Sequence, residues 1–238
     1  MVPVSFAPSP LDPLAFEFAG EAMALVGGRA LWWGREQALV VADLHLEKAS
    51  AFALRGQMLP PYDSRATLER LADALRVTGA RRVFCLGDNF HDASGRERLE
   101  AHAAGMLAAL VRATDWVWVT GNHDRGPTLG VGGTACEELE VSGVMLRHQA
   151  VAGGTRPELS GHFHPKLRVG MRGRRIARPC FAASERRMIL PAFGALAGGL
   201  DVADPVIRAA LMPADAVDAL VAAGERVVRL PVWRRQAV

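Results

Sequence analysis

The chain has 238 residues, half of them apolar and 22% charged; a disordered chain would be poorer in apolar residues and richer in net charge. A chain of this length has a prior of one to two domains and buries roughly 70–75% of its unfolded surface, so neither a disulfide nor a metal is needed merely to fold. The formal charge of +3 and a sequence pI near 9.1 do not announce a nucleic-acid protein by themselves.

Three cysteines, Cys85, Cys136 and Cys180, stand far apart with no C-x-x-C pair, which excludes a disulfide framework and points to a reducing cytoplasm. The first basic residue is Arg29, and Pro recurs at positions 3, 8, 10 and 13, unlike the charged start and apolar core of a secretory leader. No window approaches the ~20 apolar residues of a membrane span. The nearest, 188–200, is interrupted by Pro191 and several glycines.

In chain order, residues 1–14 read as an irregular arm. Two short strands, 22–26 and 29–33, flank a Gly27-Gly28 hairpin turn. The run ALVVA (38–42) reads as a buried strand ending in Asp43. After a loop containing RGQMLPPYD, Asp63 or Ser64 caps a helix with Leu68, Leu71, Ala72 and Leu75 on one face, closed by Gly79. RVFCL (82–86) is a strand ending in Gly87-Asp88, followed by a helix over about 97–111. A strand at 116–120 ends in Gly121-Asn122. Segments 135–140 and 144–147 read as a hairpin ending near His148, and 158–160 leads into Gly161-His162. The pattern is β again over 167–190, with a short helix near 214–223 and a strand near 227–232. No internal repeat, low-complexity tract or linker interrupts the chain. This order predicts one layered α/β domain across 1–238.

Metal-binding residue types recur where an apolar strand stops: Asp43-Leu44-His45, Gly87-Asp88, Gly121-Asn122-His123-Asp124, His148, and Gly161-His162-Phe163-His164. Ligand sites of open α/β sheets lie beyond the carboxyl ends of strands. Asp43 and His45, two apart at an extended strand end, point the same way. Asp88 can offer one oxygen to each of two ions, and Asn122 adds a neutral oxygen. His148, His162 and His164 add imidazoles. Asp43, His45, Asp88, Asn122, His148, His162 and His164 suffice for two ions, whose net positive charge would receive a phosphate. Mixed nitrogen and oxygen donors without thiolate favour Mn²⁺, Fe or Zn²⁺ over Ca²⁺ and over a structural zinc site. A lone histidine is more often structural than a ligand. Here six of the seven histidines lie in or beside these blocks, all but His102.

The ordered set D-x-H, G-D, G-N-H-[DE], H, G-H-x-H resembles the calcineurin-like metallophosphoesterase superfamily. The resemblance implies a four-layer α/β fold, two packed mixed sheets flanked by helices, with two metals at the loops. It implies Asp43, His45, Asp88 and His164 around one ion, and Asp88, Asn122, His148 and His162 around the other. His123 becomes the catalytic histidine and Asp124 its orienting partner. The segment DLHLEKASAFALRGQMLPPYDS followed by GDNFHD further resembles the ligase-associated DNA damage response endonuclease PdeM group. That resemblance implies DNA as substrate, single-stranded or flapped, and a DNA ligase and a helicase as partners.

His91, three residues past Asp88, is a candidate contact to substrate phosphate, as is Arg125, which is otherwise a solvated loop charge. Asp92 is read as a cap of the next helix, and Lys48, Arg55 and Tyr62 as loop residues near the site. Segment 166–187 holds eight Lys/Arg and one acid, Glu185; it is either a basic ribbon suited to a phosphodiester backbone or a hairpin with one solvated face. Phe181 is its one aromatic, so no base-stacking platform is indicated. Trp32, Trp33, Trp116 and Trp118 are read as core. The leading function is a dinuclear-metal phosphodiesterase or endonuclease acting on DNA. The alternatives are a small-molecule phosphohydrolase of nucleotides or cyclic nucleotides, and a non-catalytic scaffold subunit of the same fold.

Overall fold

A computed structural model describes residues 13–124, 131–171 and 174–236. The first half builds one seven-stranded sheet whose strands lie side by side in chain order. β1 (Leu14–Phe18), β2 (Glu21–Val26), β3 (Ala30–Trp33) and β4 (Ala38–Val41) form an antiparallel meander. The chain then switches to parallel pairing with β5 (Arg82–Leu86), β6 (Asp115–Val119) and β7 (Thr134–Cys136). Parallel neighbours need crossovers. These are α1 (Lys48–Ala53) and α2 (Asp63–Thr78), then α3 (Gly95–Arg98) and α4 (Ala101–Ala113).

β4, β5 and β6 read as near-continuous apolar runs because both of their faces are covered. Leu39, Val41, Val83, Cys85, Trp116 and Trp118 face α2 and α4, packing with Leu68, Leu71 and Leu107. The alternate residues Val40, Phe84, Val117 and Val119 face the second sheet, as a two-residue side-chain period requires.

The second sheet is also seven-stranded and mixed. It contains β8 (Glu138–Val141), β9 (Val144–Arg147), β10 (Glu158–Ser160), β13 (Phe181–Ala183), β14 (Arg187–Ile189), β15 (Ala216–Ala223) and β16 (Arg226–Arg234), in the order β16-β15-β13-β14-β10-β9-β8. A two-stranded ribbon, β11 (Lys166–Met171) and β12 (Arg174–Pro179), stands apart from both sheets. α5 (Pro205–Leu211) covers the outer face of the second sheet through Ile207 and Leu211. The layers are therefore helices, sheet, sheet, helix. The core between the sheets joins Leu25, Leu31, Trp33 and Phe84 to Leu146, Leu159, Phe181 and Met188. Each such side chain contributes about 1.5–3 kcal/mol by leaving water.

Several local expectations need correction. Segment 214–223 is not a helix: AVDALVAA forms β15, paired with β13 and β16, so sheet partners override the helix preference of alanine. The helix of this region lies earlier, where Asp204 accepts from Val206 N and Pro205 opens α5. The proposed hairpin at 135–140 divides, with β7 joining the first sheet and only β8 pairing with β9. The helix over 97–111 breaks at Leu99, and Glu100 restarts it by accepting from His102 N and Ala103 N. Asp63 and Ser64 do not cap their own helix. Asp63 accepts from Ala49 N and Ser64 Oγ from Glu47 N, tying α2 to α1. The expected arm does not include Leu14, which pairs with Leu25; residues 1–12 lie outside the described residues. Among the described residues, no helix is long and apolar enough to cross a membrane.

Candidate active site

The parallel registers Val41↔Cys85 and Leu86↔Val119 bring the carboxyl ends of β4, β5 and β6 to one level. The chain leaves these ends through Asp43, Gly87-Asp88 and Gly121–Asp124. β9 and β10, themselves parallel, deliver His148 and the 161–164 segment from the second sheet. Asp43 N donates to Gly87 O at 3.1 Å and Gly161 N to His148 O at 2.8 Å, which stitches the loops together.

Two side-chain clusters result: Asp43, His45 and His164, and Asp88, His148 and His162. In the first, His45 Nε2 and His164 Nε2 stand 3.3 Å apart, with Asp43 Oδ1 at 3.3 Å from His164 Nε2. In the second, His148 Nε2 is 3.1 Å from His162 Nδ1 and 3.6 Å from Asp88 Oδ1. Asp88 also reaches toward the first cluster, with Oδ2 3.9 Å from His45 Nε2. It therefore lies between the two, the place a shared ligand requires.

The convergence of Asp43 and His45 does not come from an extended strand end. Both have positive φ, 53° and 44°, and so do Asp88 (47°), His162 (74°) and His164 (48°). A left-handed backbone costs a non-glycine residue roughly 1–2 kcal/mol. Such strain concentrates at functional sites, where surrounding structure over-determines it.

The motif glycines act by close approach. A Cβ on Gly121 would fall on the Asp88 backbone N and Oδ1, and one on Gly161 would meet Asp43 Oδ2 and Ala42 Cβ.

The donor set fits divalent metals. Asp43 and Asp88 are 0% and 4% exposed. Among the described residues, their only ion-pair partners within 4 Å are histidines, with no Lys or Arg. Buried carboxylates are normally paired with a cation or bound to a metal. The histidines do not supply that charge at His45: burial, followed by His164 and Lys48, pushes its pKa down to about 2. His162 is likewise lowered, by burial and then by His148. Neutral imidazole is the metal-ligating form. Six of the seven residues implied for two ions are thus brought together in these two clusters. Asn122 is exposed, and its carboxamide forms no hydrogen bond among the described residues.

His123 sits at the rim, with a side chain 43% exposed. Its backbone N donates to Asp88 Oδ1 at 2.9 Å, and its Nε2 lies 3.9 Å from Asp88 Oδ2. The ring is oriented differently from expectation. Nδ1 lies 2.7 Å from the carbonyl O of His91, and the Asp124 carboxylate makes its bonds elsewhere. Asp124 accepts from Gly121 N, Asn89 N, Asn89 Nδ2 and Phe90 N. It ties the β5 loop to the β6 loop, and burial raises its pKa against those stabilising N–H groups.

The His91 ring stacks on His123 with centroids 5.4 Å apart and lies edge-on to His45 at 5.7 Å, with Phe52 at 5.6 Å on another side. Its pKa is lowered, first by burial and then by Lys48 and His123. Asp92 accepts from Ser94 N and pairs with Arg98 at 2.8 Å, a local structural role. Arg125 lies outside the described residues.

Sequence reasoning missed the His91 carbonyl and Asn89, which is fully buried and donates to Val119 O and Asp124 Oδ2. A backbone acceptor leaves no side-chain signal. The basic stretch also shrinks. Arg187 is buried and donates to the Ala210, Met212 and Gly154 carbonyls, while Phe181 lies in the core. Trp33, Trp116 and Trp118 are buried as expected, and Trp32 packs partly exposed beside them.

The fold and the clusters define a phosphoesterase of the metal-dependent class. The calcineurin-like phosphoesterase family model matches residues 37–165, and the chain belongs to that family. Among solved structures, the chain is similar to the nuclease MPE of Pseudomonas putida. The TM-score is 0.71 and the identity 28%, over 92% of this chain and 100% of that one. Yfce, a phosphoesterase from E. coli, gives a TM-score of 0.40 at 15% identity, over 82% of this chain and 98% of that one. No curated protein matches the chain.

Proposed function

We propose that the chain is a dinuclear-metal-dependent phosphodiesterase, an endonuclease hydrolysing DNA phosphodiester bonds in cytoplasmic DNA repair. The carrying observation is Asp88, buried between two histidine clusters and bonded to the backbone of the rim histidine His123. The nucleic-acid substrate is supported by the likeness to the nuclease MPE over 92% of this chain. Repair, a single-stranded or flapped substrate, and ligase and helicase partners rest on the PdeM-like segments. Free cysteines support the compartment.

Asp43, His45, Asp88 and His164 would hold one ion; Asp88, Asn122, His148 and His162 the other. Manganese suits this mixed nitrogen and oxygen set, with iron or zinc as alternatives. Bound divalent ions supply charge to offset phosphoryl oxygens and lower the pKa of water.

The chain's own residues do the rest. His123, held at Nδ1 by the His91 carbonyl, turns Nε2 toward the site, where it protonates the leaving oxygen as general acid. Asp124 is a positioning residue that fixes the loop carrying His123. The His91 imidazole and Arg125 contact the substrate phosphate.

The test uses metal-stripped protein reloaded with Mn²⁺, given a chromogenic diester, a chromogenic monoester and circular single-stranded DNA. Nicking of the circle that is lost in His123→Ala supports the endonuclease. Cleavage of the monoester alone contradicts it and favours a small-molecule phosphohydrolase. No bound metal and no cleavage at all favours the scaffold reading.

A further inference from the structure

Three cations outside the two clusters converge on one stretch of backbone. Arg29 Nη1 donates to Ala192 O at 2.6 Å, Arg70 Nη1 to Phe193 O at 2.6 Å, and Lys166 Nζ to Ala197 O at 3.2 Å. This stretch lies directly beneath the ligand loop, since Phe193 N donates to Ala42 O and Gly194 N to Asp43 O. Carbonyls fix the cations in place without cancelling their charge. Among the described residues, none of Arg29, Arg70, Lys166 or Lys48 has a carboxylate within 4 Å, whereas Arg35 and Arg82 do. Arg29 remains charged at neutral pH, although burial and then Arg70 bring its pKa down to about 10.

These charges form a path. Lys48 stands over Phe52 at 5.9 Å, beside the ring of His91. Arg29 and Lys166 are held on one stretch of backbone by their bonds to the Ala192 and Ala197 carbonyls. Lys166 follows the ligand histidine His164 by two residues and opens β11. The path ends in a groove of about 710 Å³ between the ribbon, the Gly27-Gly28 turn and the turn joining β15 to β16. Arg29, Val169, Ile176 and Arg178 line it, with Arg168 around the ribbon edge.

We propose that this groove is a second subsite, holding the phosphodiester backbone of the substrate strand away from the scissile bond through Arg29 and Arg178. The proposal rests on the polynucleotide reading above. Its ground is continuity: Arg29 and Lys166, with no carboxylate within 4 Å among the described residues, bond the stretch beneath the ligand loop, and Arg29 also lines the groove with its apolar walls, whereas Arg168 pairs with Asp201 at 4.0 Å. A phosphate-bearing strand is the ligand that repeats its charge along such a path.

The test measures binding of labelled thymidine oligonucleotides of graded length by fluorescence anisotropy. The full chain carries His123→Ala and Mn²⁺, with or without Arg178→Ser. Arg178 is exposed and forms no hydrogen bond or ion pair among the described residues, so the fold does not depend on it. The subsite predicts that the Arg178 variant weakens binding of long oligonucleotides roughly threefold and leaves the dinucleotide unchanged. It also predicts a salt dependence shallower by about 0.7 in log–log slope, for one lost phosphate contact with a single strand. Unchanged affinity at every length, or an equal loss for the dinucleotide, overturns the subsite. A parent chain that hydrolyses the chromogenic diester but neither binds nor cuts oligonucleotides overturns the polynucleotide reading itself, and the subsite with it.

Discussion

His123 is tethered to His91 through the backbone: the imidazole Nδ1 sits 2.7 Å from the His91 carbonyl oxygen while the two rings stack at 5.4 Å. That bond leaves Nε2 as the free nitrogen facing Asp88. Because the tether is a carbonyl, substituting His91 removes its ring but keeps the orientation of His123.

The two histidines therefore separate in a mutational test. His123→Ala lowers DNA nicking by about 10²–10⁴-fold, the usual contribution of a general acid, with metal content retained. His91→Ala also retains metal, and its loss is smaller, about ten- to a hundredfold, the worth of one bond to a charged phosphate. Nicking rates alongside bound metal by elemental analysis check both.

Gly161→Ala tests the close packing of the metal loops. The added Cβ would meet Asp43 Oδ2, Ala42 Cβ and the Leu86 carbonyl, none of which is the free end of a flexible side chain. Overpacking of this kind costs about 1–3 kcal/mol. A lowered melting temperature and weaker metal binding are expected together.

Arg187 is the buried knot of the second sheet. Removing its guanidinium in Arg187→Leu strands the Ala210, Met212 and Gly154 carbonyls and takes from Glu158 one of its two neighbouring charges, the other being Arg147. The expected loss is about 2–3 kcal/mol by denaturant titration. Since Arg187 belongs to the core and not to the basic surface, oligonucleotide affinity of the folded variant stays unchanged.

Glu158 gives a pH signature away from the metal loops. Burial raises its carboxyl pKa, opposed by Arg147, Arg187 and the Val151 N–H. A folded pKa above the unfolded one favours the protonated native state. The corresponding stability is fully present below the unfolded pKa and is lost as pH rises through the folded value. Glu158→Gln cannot ionise, so its stability relative to the parent should grow across that interval and be flat below it. Melting temperatures of both proteins across the acidic range measure this.

Much of this architecture is legible from local pattern. The apolar runs at 38–42, 82–86 and 116–120 and the ligands after them are found where the strands end. β15 was illegible because its alanine-rich sequence favours a helix until β13 and β16 claim its backbone. α1 was hidden because its six residues, KASAFA, are too few to show a helical period, and contacts from Asp63 and Ser64 hold it. Asp43 and His45 meet through left-handed backbone that no side-chain alternation predicts. The orientation of His123 rests on a carbonyl, which carries no residue signature.

The most direct measurement is a Mn²⁺ titration of the metal-stripped chain, followed by bound metal and by nicking of circular single-stranded DNA. The two clusters centred on Asp43 and Asp88 predict two ions per chain, with nicking appearing only as the second site fills. Asp88→Ala should lose both metal and activity. Full nicking with one ion, nicking in the presence of a chelator, or an Asp88→Ala chain that keeps its metal and its activity would contradict the account.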